Sequence, residues 1–167
     1  MLNLTPELVL RELKHVPSLN LEGANEYFAR GGQLCHVRFV ELISEPGLNN
    51  VPVSTALLLC HTLTSGAYLT KPAENWLPYN EFHVATIDQL RGLHECALSH
   101  VARSRPTNYA LERAMSDPDL SGASEIREIR PILHQGEAAN PFGPVGTEQM
   151  FWSHAGRFYF LQVHIES

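Results

Sequence analysis

Gln149-Met150-Phe151-Trp152-Ser153-His154, then Ala155-Gly156, then Arg157-Phe158-Tyr159-Phe160-Leu161-Gln162-Val163-His164-Ile165-Glu166 is the stretch whose reading decides the fold. Two runs rich in aromatic and β-branched residues flank a two-residue break, which is the pattern of a β-hairpin. Alternation puts Tyr159, Leu161, Val163 and Ile165 on one face of the second strand. Gly156 is expected at the left-handed position of the turn, because Ala resists a positive φ.

Upstream of the hairpin, Gln135 to Thr147 reads as a Gly- and Pro-rich loop. From Ser124 to His134, Ile126, Ile129 and Ile132 recur every three residues, yet Pro131 forbids a continuous helix, so the segment is read as an edge strand. Glu81 to Ala85 reads as a short strand with Phe82 and Val84 inward. Thr86-Ile87-Asp88-Gln89 is a capping box that opens a helix whose apolar stripe is Ile87, Leu90, His94, Ala97, Leu98 and Val101. Pro106 to Met115 is expected to form the next helix, stopped by Asp117-Pro118.

Toward the N-terminus, Thr5-Pro6-Glu7 caps a helix that Pro17 ends, with Val9, Leu10, Leu13 and Val16 on one side. Glu22 to Arg30, closed by Gly31-Gly32, reads as a second short helix. Gln33 to Ile43 reads as an interior strand with both faces partly apolar, which implies cover on both sides. Ser54 to Gly66 is bounded like a buried helix. Helices between strands and a closing hairpin give an α+β fold, one mixed or antiparallel sheet with helices packed on it. The 167 residues suit a single globular domain, 1–167, long enough to bury roughly 70% of its unfolded surface.

Charge narrows the functions. Lys plus Arg is 12 against 18 Asp plus Glu, a net charge of −6, so no basic field supports non-specific nucleic-acid binding. The 9 histidines carry the chain through neutrality in mildly acid solution. Three cysteines are too few for a disulfide framework, and no basic leader or long apolar span is seen, so the reading is a cytoplasmic protein off the membrane.

Motifs for common chemistry are missing. There is no Walker loop, no Gly-x-Gly-x-x-Gly and no Gly-x-Ser-x-Gly elbow. His94-Glu95-Cys96-Ala97-Leu98 opens like a zinc-protease motif, but Leu98 stands where the second histidine belongs. Cys96 and His100 share a helix face without further ligands, so no metal and no cofactor are assigned.

Two readings from different classes follow. In the first, the chain is no enzyme but an inhibitor, immunity or adaptor type of protein that covers a partner, one with a basic surface suiting its acidic balance. Its contacts are then Trp76 and Tyr79, bounded by Pro72 and Pro78, and Phe142, bounded by Pro141 and Pro144. In the second, strand parity gathers His36, Arg38, His83 and His164 on the sheet's second face, a set able to bind an anion or act as general acid and base. An exposed apolar second face would instead favour a homodimer.

Overall fold

The computed structural model describes residues 3–15, 25–30, 35–43, 73–103, 108–116, 119–132, 140, 142–143 and 145–165. Its elements in chain order are α1 (Pro6–His15), β1 (Asn25–Arg30), β2 (Cys35–Ile43), β3 (Asn80–Val84), α2 (Ile87–Ala102), α3 (Tyr109–Ser116), β4 (Ser124–Pro131), β5 (Glu148–His154) and β6 (Arg157–Ile165). The strands form one six-stranded sheet in the order β1-β2-β6-β5-β4-β3. Every neighbouring pair is antiparallel. The fold is therefore α+β with an antiparallel sheet, as the sequence predicts.

The sheet carries a separate apolar core on each face. On one face Val40, Phe160, Phe158, Phe151, Ile129 and Phe82 pack under Leu4 and Val9, with Trp76, Leu77 and Phe142 filling the rest. On the other, Val37, Phe39, Tyr159, Leu161 and Trp152 pack under Leu90, Leu93, Ala97 and Val101 of α2 and under Leu111, Ala114 and Met115 of α3. Both faces are thus covered, so the exposed apolar face that would have driven a homodimer does not exist among the described residues. The recurrence of Ile126 and Ile129 also resolves: an odd spacing in a strand puts them on opposite faces, and each enters a different core.

Local signals act as read at α2. Thr86 Oγ1 accepts from the Gln89 backbone N–H at 3.2 Å, and the Gln89 side chain reaches back to the Thr86 N–H at 2.8 Å. His94 on the helix flank sits 2.6 Å from the Met115 carbonyl through Nε2, which ties α2 to the last turn of α3. The hairpin of β5 and β6 is present, with Trp152 opposite Tyr159 and His154 opposite Arg157. Its turn corrects one expectation, since Ala155 (φ 50) and Gly156 (φ 77) are both left-handed. Of the two-residue turns that suit right-twisted strands, this one is the kind with positive φ at both central positions, and the strands impose it on Ala155.

Two further expectations change. Asn25 to Arg30 is a strand and not the end of a helix over Glu22 to Arg30, because it pairs residue by residue with β2, from Asn25 opposite Glu41 to Arg30 opposite His36. Gly31-Gly32, read as its cap, lies outside the described residues. The loop around Trp76 consists of two 3-10 turns, Ala73–Asn75 and Leu77–Tyr79. The expected helix over Ser54 to Gly66 lies outside the described residues. Among the described residues, no helix is long and apolar enough to cross a membrane.

Candidate functional site

Alternation along β2, β6 and β5 lays polar side chains on one face in two successive rungs at one end of the sheet. In the first, His36 stands opposite His164, and Thr147 Oγ1 lies 3.2 Å from His164 Nδ1. In the second, Arg38 stands opposite Gln162, and Gln162 opposite Gln149. The third rung is apolar, Val40 opposite Phe160 and Phe160 opposite Phe151. A polar patch therefore borders directly on the aromatic core of the same face.

The patch is held from beneath. Gln149 is fully buried; its Nε2 donates to the Phe142 carbonyl, and its Oε1 accepts from Gln162 Nε2 at 2.9 Å. Phe142 is anchored in turn by Asn140, whose Oδ1 accepts from the Phe142 N–H at 3.1 Å. Asn140 and the buried Asn80 exchange amide hydrogen bonds of 2.9 and 3.3 Å. The Asn140–Phe142 corner, the buried glutamine and the rung above it thus form one connected network, of the kind that fixes side-chain positions when every member is satisfied.

The His36 and His164 rings lie near-parallel, 14° apart, with centroids 6.2 Å apart. Both are half-buried, as are Arg38 and Gln162. Chemically, such a set combines one permanent cation with two imidazoles. Protonated, it is an anion site; neutral, an imidazole nitrogen can take a proton from a bound molecule. The dry aromatic rung beside it raises the strength of any charge interaction made there.

His83 does not join this set. It lies on β3, at the sheet edge four strands from β2, and its register opposite Glu128 puts it on the other face. There its Nε2 pairs with Glu81 Oε2 at 2.7 Å. Phe82 is inward as expected, but it belongs to the same face as His36, so its neighbour His83 points away.

The proposed contact residues are corrected by burial. Trp76 is 0% and Phe142 1% exposed, and the two rings meet edge to face at 5.6 Å. Phe142 also packs on Phe82 and Phe160, at 6.5 and 6.1 Å. An aromatic side chain that can reach a core is stabilised more by burial than by exposure to water. Tyr79 remains half-buried. Thr147 and Gln149 carry no signal in the sequence that marks them as parts of the site, whereas Gln162 carries one in its parity with His164.

Cys35 precedes His36 but points into the opposite core. Burial pushes its thiol above the ordinary range and the nearby Cys96 pushes it further, so it is no thiolate beside an imidazole. Among the described residues, no group of three or more His, Cys, Asp or Glu is placed to hold a metal ion. Comparison of the chain with protein-family models, with curated proteins and with solved structures returned no match.

Proposed function

We infer that the protein binds a small anionic molecule at the His36, Arg38, His164 end of the sheet, with imidazole serving as the proton-exchanging group. The observation that carries this reading is the stacked pair of half-buried histidines beside a cross-strand Arg38–Gln162 pair, whose rung continues into a fully buried glutamine on β5. A patch serving only solubility needs no such support. The other reading, occlusion of a protein partner, loses Trp76 and Phe142 to the core and retains Tyr79 alone.

Binding of inorganic phosphate and of acetate, followed through the histidine side-chain resonances of the full chain, tests it. Saturable shifts at His36 and His164 are expected with both anions. Arg38→Gln should weaken binding by about tenfold, the worth of one charged hydrogen bond. If neither anion moves these resonances, or if Arg38→Gln and His164→Ala both bind like the wild type, the reading fails.

A further inference from the structure

A second site is built at the opposite edge of the sheet. The pairing of β4 with β5 slips there: Arg127 stands opposite Phe151, yet Ser124 and not Glu125 stands opposite Ser153. Glu125 is the extra residue of this β-bulge and takes φ 53, a left-handed backbone that side-chain-bearing residues resist. Bulges re-aim side chains. Here Glu125 Oε2 meets Arg127 Nη2 at 3.4 Å, while Arg127 Nη1 donates to the Ile126 carbonyl at 3.2 Å.

This ion pair is lopsided. The Arg127 side chain is 2% exposed and that of Glu125 is 42% exposed. Both line a groove of about 250 Å³ whose other walls include Val84, Ala85, Ile87, Ala123 and Ile126. A guanidinium taken out of water must keep its partners, and Glu125, one of those Arg127 has, is long, half in water and held on a resisted backbone. A partner held in this way is exchangeable.

The charges in the groove select the ligand. A neutral apolar molecule would leave the pair unused. A simple carboxylate would set two negative groups against one guanidinium, and a simple amine would compete with Arg127 for Glu125. A molecule with an ammonium and a carboxylate on one carbon inserts between the two, and every charge keeps an opposite neighbour. Sites for drug-sized ligands run from roughly 300 to 1,000 Å³, so a 250 Å³ groove takes a fragment-sized one. Apart from the ion pair and Ser124 the walls are aliphatic, which suits a short branched side chain.

We propose that the groove at the β4 bulge binds a free apolar α-amino acid, with Arg127 holding its carboxylate and Glu125 its ammonium group. The site is independent of the histidine patch and stands or falls apart from it. Isotope-labelled full chain is titrated with L-valine, isovalerate and isobutylamine while the amides of Ala85, Ala123 and Ile126 are followed. L-Valine should give saturable shifts there, and each single-charge analogue should bind at least about tenfold more weakly, having lost one charged contact. Glu125→Gln, with its fold checked by far-UV circular dichroism because it removes a negative charge from the buried Arg127, should weaken L-valine by a similar factor and leave isovalerate no weaker. Absence of saturable shifts with L-valine, equal affinity for isovalerate, or a Glu125→Gln chain that binds L-valine like the wild type would each overturn the proposal.

Discussion

Ala155 shows how far one residue can depart from its own preference when two strands demand it. At φ 50 it occupies a conformation that costs a residue with a β-carbon about 1–2 kcal/mol. Asn tolerates that region and is favoured at the first central position of such turns. Ala155→Asn should therefore raise stability by about 0.5–1 kcal/mol, read as a higher urea midpoint with unchanged slope, whereas Ala155→Val should lower it; an Asn variant no more stable than the wild type would mean the strain is absent. At this scale the sequence was partly legible. Parity alone put His36, Arg38, Gln162 and His164 on one face, because a period of two is rigid once a strand is known. It could not tell that Trp76 and Phe142 fold inward, since that depends on a core built from residues far away in the chain.

An element whose capping signal is complete is legible in its own sequence, and one whose form is set by strand pairing is not. The capping box at Thr86 and Gln89 states its helix in four residues, and the structure places α2 at Ile87–Ala102. Asn25 to Arg30 holds no such statement, and its pairing with β2 decides its form against any local preference. Loop 140–147 is a third case: its Gly and Pro content announces a loop but not what fixes it. That is Gln149, through the Phe142 carbonyl below and Gln162 above. Gln149→Ala leaves buried polar groups without their partner, at a cost of about 1–3 kcal/mol. Faster amide exchange at Phe142 and Gly143 should accompany it, together with weaker anion binding at the histidine rung. Unchanged exchange at those amides would show that the loop is held by Asn80 and Asn140 alone.

At the scale of the whole molecule, strand order was the part that no local signal carried. Sequential strands often neighbour one another, yet β2 pairs with β6 and β3 lies at the far edge, which is why His83 is separated from the other histidines. The same order explains how two cores form one structure. Each face has its own helices and its own aromatic cluster, but the two share all the backbone hydrogen bonds of β2, β4, β5 and β6. Neither core can open without releasing strands that the other is built upon, so the two faces should unfold together. The 2 tryptophans make this testable, because Trp76 lies in one core and Trp152 in the other. In Trp76→Phe only Trp152 reports, and in Trp152→Phe only Trp76. Within each variant, the fluorescence transition in urea should coincide with the far-UV circular dichroism transition, which is the signature of two-state unfolding. Each substitution shifts its own midpoint through lost packing, so the comparison is made inside a variant and not between them. A Trp76 transition preceding loss of sheet signal would mean that the α1 face, with the loop that supports the histidine patch, opens on its own.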